Sequence, residues 1–343
     1  MTQAPFFMPR FPSWRSPLFR RLGLGISGLF LLGCMMLELT LGAAEIDLST
    51  VWLALTAFDG STNHLIITTV RLPRVLIAAV VGAALAVAGA LMQGLTRNSL
   101  ADPGILGISA GATFAVVITT FFLGTTSIQT YTWVAFAGGA IASVAVYTLG
   151  SVGRSGITPL KLILSGTVLA YLLSAFTTGT LILSQRTLDE IRFWLAGSVA
   201  GRDLGVLLPV LPYLLLGLFL AFGLGKQITA LALGDEVAQG LGLQTAWVKA
   251  IAAIAVVLLA GGAVALAGQI GFIGLIIPHV VRFWVGLDYR WVLPYAALWG
   301  AILLSVADLA ARLVIRPQEL PVGIMTALIG GTFFIYLTRS KVR

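Results

Sequence analysis

Long apolar runs, separated by short polar segments, recur along the whole of the 343-residue chain. Runs of about 18 or more apolar residues are typical of helices that cross a lipid bilayer. The pattern predicts an all-α membrane protein: a basic, proline-rich cytoplasmic tail over residues 1–20, then a single domain over residues 21–343 with about ten transmembrane helices. The candidate spans are 21–41, 73–95, 103–124, 131–150, 159–184, 205–224, 248–268, 271–286, 291–312 and 321–338.

Composition agrees with this pattern, since 58% of the residues are hydrophobic and only 10% are charged, against about 25% charged in soluble domains. The net charge of +8 is spread over short loops and termini. That distribution suits orientation in a membrane and gives no basic face for nucleic acid. One cysteine, Cys34, cannot form a disulfide framework or a thiolate metal site within the chain.

The basic residues also predict the orientation. With both termini in the cytoplasm, 14 of the 21 Lys and Arg residues lie on the cytoplasmic side, as the positive-inside rule requires. The spans then predict a multi-pass protein of a bacterial inner membrane. Seven basic residues remain on the outer side, among them Arg71, Arg74 and Arg312.

Two of these outer cations flank Pro73 in the segment RLPR, at the head of the second span. Arg71 and Arg74 are three residues apart and therefore share one side of a helix. Pro73 suits the first turn of that helix, where no N–H is needed. The two arginines could anchor the helix among lipid headgroups, or they could receive an acidic partner on the outer side.

Few ionisable groups lie within the spans, which limits the chemistry available there. Asp308 and Arg312 are four residues apart, so we expect an ion pair within one helix. An ion-coupled transporter would need more acidic groups around a central site. His64 and His279 have no acidic neighbours at ligand spacing and are interpreted as structural. No protease, metal-site or Walker A motif is present, so any ATP must be bound by another polypeptide.

Three further segments predict local structure outside the simple spans. Asp102 should cap a helix that begins at Pro103. The polar stretch after the fifth span, with Phe193 and Trp194, is expected to form a short helix at the outer surface. The cytoplasmic loop 226–247 contains GDEVAQGLG, whose acidic start and glycine-rich end favour a helix of two turns, roughly 10 Å long. This helix could insert into a cytoplasmic subunit or simply connect two spans.

A weak internal similarity links residues 83–95, AALAVAGALMQGL, with residues 263–275, AVALAGQIGFIGL. The two segments belong to helices of opposite direction, as in the inverted repeats of transporters. Chance similarity is the alternative in a chain so rich in alanine, glycine and leucine.

Four ordered blocks resemble the FecCD-type permeases, the membrane subunits of ABC importers for ferric siderophores, haem and vitamin B12. The blocks begin with RLPRVLIAAVVGAALAVAGALMQGL, LALGDEVAQGLGL, AVALAGQIGFIGLIIPHVVRFW and ELPVGIMTALIGG. The resemblance implies an inverted-repeat, type II importer fold and a dimer of permease subunits. It further implies two cytoplasmic ATPases, which bind ATP and Mg, and an extracytoplasmic substrate-binding protein. The chain itself would bind no cofactor and would be no enzyme.

On this resemblance the expected cargo is an iron chelate, a ferric siderophore before haem or vitamin B12. An ion-coupled secondary transporter is the alternative from another class. The resemblance also assigns roles to residues, and spans five and ten would line the pathway. The assigned residues are Arg71, Arg74 and Arg312 for docking of the binding protein; Gly234, Asp235, Glu236, Ala238 and Gly240 for coupling to the ATPases; and Thr158 and Pro159, which replace the two small hydroxyl residues of the family pattern, for the cytoplasmic gate.

Overall fold

The computed structural model describes residues 16–42, 45–124, 127–152, 158–316 and 318–341. Most of the tail predicted over residues 1–20 lies outside these ranges. The described residues form α-helices and contain no β-strand. The helices are α1 (Pro17–Thr40), α2 (Leu48–Thr56), α3 (Thr62–Leu65), α4 (Leu72–Thr96), α5 (Ile108–Leu123), α6 (Ile128–Ser151), α7 (Pro159–Leu183), α8 (Gln185–Leu195), α9 (Leu204–Gly223), α10 (Gly225–Leu233), α11 (Asp235–Gly240), α12 (Thr245–Ala267), α13 (Ile273–Val285), α14 (Tyr289–Leu313) and α15 (Val322–Lys341).

The predicted spans are confirmed as apolar helices. Within the described residues, seven helices are long and apolar enough to cross a membrane, and three more apolar helices are shorter. The shorter ones are α5, α13 and the apolar part of α15, Val322–Leu337, and they correspond to the third, eighth and tenth predicted spans. Helix α5 is short because a 3-10 turn, Pro103–Leu106, precedes it. As predicted, Asp102 caps that turn by accepting a hydrogen bond from the Gly104 N–H at 2.8 Å.

Helices α4, α12 and α14 form the centre of the bundle. The apolar window of the helical stretch that contains α4 is 78% buried, whereas that of α7 is 11% buried. Helices α4 and α14 cross so closely that a Cβ atom on Gly82 would overlap the carbonyl oxygen of Gly300, and the reverse also holds. Small residues at such a crossing let two backbones approach, as is common between membrane helices.

The start of α4 differs from the prediction that Pro73 begins a helix. Helix α3 and a π-helical segment, Ile66–Arg71, run directly into α4, so that one helical stretch extends over Thr62–Thr96. Pro73 cannot donate the regular backbone hydrogen bond, and the wider turn before it accommodates that loss. Arg71 and Arg74 therefore lie at a helix irregularity inside a longer helix.

The chain is also irregular between α12 and α13. Residues 268–272 are not helical, and Phe272 has a left-handed φ of 70°. This conformation is unusual for a bulky residue. On the far side of the break, Gly274 packs directly against Gly89 of α4. The second member of the internal sequence similarity, residues 263–275, is thus interrupted, whereas the first lies within the continuous α4.

Two short helices, α8 and α10, differ from what the polar segments predict. The predicted surface helix is α8, but of its two aromatic residues only Phe193 is exposed. Trp194 is buried, where it packs in an apolar cluster with residues of α5, α6 and α12. Helix α10 was not predicted, because Gly225 and Lys226 follow the apolar run of α9 and the segment was assigned to the loop 226–247.

Candidate functional site

Six charged side chains meet where the C-terminal ends of α1 and α14 approach the start of α4. We call them the Arg74 cluster: Glu38, Arg71, Arg74, Asp308, Arg312 and Glu319. Three arginines and three carboxylates balance each other when all are ionised. Charges at this depth in an apolar bundle are expected to pair in this way, since an isolated one is costly.

Arg74 makes the best-defined contacts of the cluster. Its Nε and Nη2 atoms donate to the two carboxylate oxygens of Asp308 at 2.8 and 2.9 Å. Its Nη1 atom donates to Oε2 of Glu319 at 2.7 Å. The paired geometry with Asp308 is the strong, directional form of an arginine–carboxylate contact. It joins α4 to α14.

Arg312 joins α14 to α1. Its Nε atom lies 3.2 Å from the Asp308 carboxylate, which confirms the ion pair predicted from their spacing. Its Nη1 atom donates to the backbone oxygens of Glu38 and Leu41 at 3.2 and 3.4 Å. The Glu38 carboxylate is 3.7 Å from Nη2, which is close enough for ionic attraction and too far for a good hydrogen bond.

Arg71 holds the end of α1 in the same manner. Its Nη1 atom donates to the carbonyl oxygens of Leu39 and Thr40 at 2.6 and 2.9 Å. The last carbonyl groups of a helix have no partner within the helix and carry partial negative charge, so a guanidinium suits this position. These two hydrogen bonds hold the C-terminal end of α1 against the π-helical turn before α4.

Burial distinguishes this arrangement from an open cationic surface. Arg71, Arg74 and Arg312 are 6%, 8% and 4% exposed. The prediction that Arg71 and Arg74 share one helix side holds, but both side chains point into the bundle instead of projecting from it. The Glu319 side chain, at 36% exposure, is far more accessible than these arginines. Their role in docking stays a prediction.

The opposite end of α4 and α12 carries the predicted coupling segment. Helix α11 begins after Gly234, which has a φ of 132°, a backbone conformation that favours glycine. Asp235 pairs with Lys249 at 2.9 Å and with Arg97 at 3.4 Å, which ties α11 to the start of α12 and the end of α4. Ala238, on the inner face of α11, is fully buried.

The other face of α11 is open. Glu236, Val237, Gln239 and Gly240 are exposed. The predicted helix is confirmed, although it spans only Asp235–Gly240. A short helix with a fixed inner face and an open, partly apolar outer face can transmit a force from a subunit that contacts it.

A cavity of about 1040 Å³ opens beside α10 at the same end of the molecule. Its lining includes four basic residues, Arg97, Lys226, Arg282 and Arg290, and one acidic residue, Asp288. The Arg290 guanidinium lowers the pKa of the Asp288 carboxyl. The excess of positive charge favours anionic groups in this cavity.

The two predicted gate residues lie at the start of α7. Thr158 is the N-cap, and its Oγ1 atom accepts a hydrogen bond from the Lys161 N–H at 3.3 Å. Helix α7 begins at Pro159, a favoured residue at the first helical position. The preceding residues 153–157 lie outside the described ranges. The structure thus gives the two residues a capping function and does not test a gate.

Arg202, in the segment between α8 and α9, is a buried cation that the sequence did not single out. It is 8% exposed, and its Nε atom has no hydrogen-bond partner within the described part of the chain. Burial lowers the pKa of its guanidinium to about 10. Holding this charge inside the protein therefore costs stability.

Sequence reasoning missed the partners of Arg74 in the cluster. Glu319 appeared only at the start of the block ELPVGIMTALIGG, and its contact with Arg74 joins residues far apart in the chain. No sequence spacing indicates such a contact. For metals, the described residues contain no group of three or more His, Cys, Asp or Glu side chains placed to hold an ion.

In the described part of the chain, seven long and three shorter apolar helices around a tightly packed centre indicate an integral membrane protein. The chain matches the FecCD transport family over residues 30–340. It therefore belongs to this family, whose members are transport subunits and not enzymes.

Individual relatives agree over most of their length. The chain is 52% identical over 293 residues to the "Probable siderophore transport system permease protein YfiZ" of Bacillus subtilis strain 168, covering 85% of this chain and 88% of that protein. It is 46% identical over 334 residues to the iron(3+)-hydroxamate import system permease protein FhuB of the same organism, covering 96% and 86%. The fold matches a metal-chelate type ABC transporter solved in an inward-facing conformation, with a TM-score of 0.82, 30% identity, and coverage of 93% and 99%.

Proposed function

We propose that this chain is the membrane-spanning permease subunit of an ATP-driven importer that carries a ferric siderophore into the cytoplasm. The observation that carries this proposal is the similarity, over nearly the whole chain, to permeases named for siderophore and iron-hydroxamate transport. The subunit lies in a bacterial inner membrane with both termini in the cytoplasm. The substrate crosses unmodified.

An extracytoplasmic binding protein delivers the chelate by docking at the Arg74 cluster. Three guanidinium groups, those of Arg71, Arg74 and Arg312, lie together at this end of the bundle. They can attract the carboxylates of a docking protein, which speeds and orients its approach. The partly exposed Glu319 marks the route by which a partner's side chain reaches the cluster.

Two cytoplasmic ATPases, which bind ATP and Mg, contact the chain at α11. The exposed residues Glu236, Val237 and Gly240 form the contact surface. The inner face of the helix supports coupling, because Asp235 binds Lys249 of α12 and Arg97 at the end of α4. Movement of α11 is thereby passed to the two central helices.

A second permease subunit completes the pathway. Helix α7 buries little of its apolar surface within the chain, so it faces either lipid or another subunit. We assign α7 and α15 to the lining of the conduit between two subunits, with Thr158 and Pro159 at its cytoplasmic end. Few charged groups lie along the spans, which suits a conduit that binds its cargo weakly and releases it.

Uptake by a strain that lacks this chain tests the proposed function. Labelled ferric hydroxamate, catecholate and carboxylate chelates, haem and cobalamin are offered separately, with and without the restored chain. Loss and restoration of one ferric chelate are expected. Loss of none of these substrates, or of haem or cobalamin alone, contradicts the assigned cargo.

A further inference from the structure

The segment between α14 and α15 places a carboxylate directly on the cluster. The Glu319 carboxylate accepts from Arg74 Nη1 at 2.7 Å. The Leu320 N–H donates to the Ala311 oxygen at 3.2 Å, which holds this segment against the end of α14. A carboxylate of the protein itself therefore occupies the accessible side of Arg74.

We infer that Glu319 holds the position on Arg74 that a carboxylate of the binding protein takes when it docks, so that docking proceeds by exchange of one carboxylate for another. This inference rests on the proposed function, because it needs a docking protein at this end of the bundle. It concerns Glu319, which neither the sequence motifs nor the comparisons single out.

Geometry explains why Glu319 is the carboxylate that leaves. Asp308 makes two hydrogen bonds with Arg74 and its side chain is 2% exposed, whereas Glu319 makes one and is 36% exposed. Breaking an ion pair with one hydrogen bond and partial solvation costs much less free energy than breaking a buried pair with two hydrogen bonds. Water can also solvate the released Glu319 carboxylate.

The contact also explains how a buried arginine can serve in docking. Arg74 is 8% exposed while Glu319 is in place. Once Glu319 swings away, the Nη1 atom of Arg74 faces the outside and lacks an acceptor. The incoming carboxylate restores that hydrogen bond, so Arg74 again has two carboxylate partners.

Exchange has a mechanical consequence for α15. Glu319 lies three residues before Val322, the first residue of α15. The Gly323 N–H donates to the Gly197 oxygen at 3.0 Å, which links the first turn of α15 to the segment after α8. Releasing Glu319 removes the ionic tie between α4 and this segment, so docking loosens the start of a helix that we assign to the pathway.

The variant Glu319→Gln tests the exchange, with Glu45→Gln as a matched control. Glu45 is also an exposed carboxylate of this end of the bundle, 3.7 Å from Arg316, and its removal changes the net charge equally. The full importer, in lipid nanodiscs, is titrated with the binding protein that supports uptake through this chain. We expect Glu319→Gln to tighten docking by roughly two- to fivefold, the upper range of an exposed ion pair, and Glu45→Gln to change it much less.

Salt and folding controls sharpen the result. The difference between the two variants should shrink at high salt, since part of it is Coulombic. Rates of Cys34 alkylation, which report separation of α1 from the bundle, should be the same in Glu319→Gln as in the unmodified chain. Equal or weaker docking of Glu319→Gln, or equal tightening by Glu45→Gln, overturns the exchange. Failure of the unmodified importer to bind the protein at all overturns the proposed function itself.

Discussion

Asp308 is the residue on which the Arg74 cluster depends most. Its carboxylate receives two hydrogen bonds from Arg74 and lies 3.2 Å from Arg312. The change Asp308→Asn keeps the size of the side chain and removes its charge. Among the carboxylates of the described residues, Arg74 then retains the partly exposed Glu319, and Arg312 retains Glu38, at 3.7 Å.

The expected cost follows from burial. Removing one partner of a buried ion pair typically costs about 3–5 kcal/mol, because a charge is left without compensation. The lost ion pair joins α4 to α14, while Arg312 keeps its hydrogen bonds to the α1 backbone. Opening of this end of the bundle solvates the uncompensated arginines, so we expect Asp308→Asn to favour this opening, with separation of α1, by roughly this amount.

The only cysteine of the chain provides the assay. Cys34 is buried in α1, four residues before Glu38, so a membrane-permeant maleimide labels it when α1 opens. At about 1.4 kcal/mol for each factor of ten, the labelling rate should rise roughly 10²- to 4 × 10³-fold in Asp308→Asn. A rate within a few-fold of the unmodified chain would refute the view that the cluster holds these helices together.

Two variants make this result specific. Asp288→Asn, at the other end of α14, removes the carboxylate of the more exposed pair with Arg290 and retains an N-cap residue. It should cost less than about 1 kcal/mol. The double change Arg74→Met with Asp308→Leu removes both charges and should label more slowly than Asp308→Asn alone.

Three further changes test other parts of the account. Gly300→Val should prevent close packing on Gly82 and lower the amount of folded protein in the membrane. Gly331→Val is the control and should be tolerated, because a side chain at Gly331 points into open space. Fluorescence-detected size-exclusion chromatography measures the folded amount of both variants. Glu236→Lys should leave docking of the binding protein intact and abolish its stimulation of ATP hydrolysis. Because burial lowers the pKa of Arg202 to about 10, well below its ordinary value, the charge costs on the order of 3 kcal/mol below pH 10. Arg202→Met should therefore raise the melting temperature at pH 7, and less so as the pH rises above 10.

The spans could be predicted from sequence because the bilayer imposes one solution on the backbone. Every N–H and C=O group in the apolar region must bond within the chain, so a long apolar run becomes a helix. Local capping could also be predicted from the sequence: Asp102 caps the turn at Pro103, and Asp235 and Glu236 start α11. The π-helical turn before Pro73 could not be predicted, because its position depends on how the longer helix packs.

The site shows the same division between local and distant contacts. The pair of Asp308 and Arg312 follows from a spacing of four residues and is found in the structure. The stronger pair of Asp308 with Arg74 depends on the crossing of α4 and α14, which no local pattern encodes. The position of Glu319 on Arg74 depends in addition on the path of the segment before α15.

Reconstitution tests the central claim most directly. The chain is purified with its partner ATPases, placed in liposomes, and supplied with the binding protein and a labelled ferric hydroxamate. The account predicts import that requires ATP, that persists when a proton uncoupler is added, and that is lost when Arg71 and Arg74 are both changed to Glu. Import that needs no ATP and collapses with the uncoupler would contradict an ATP-driven importer.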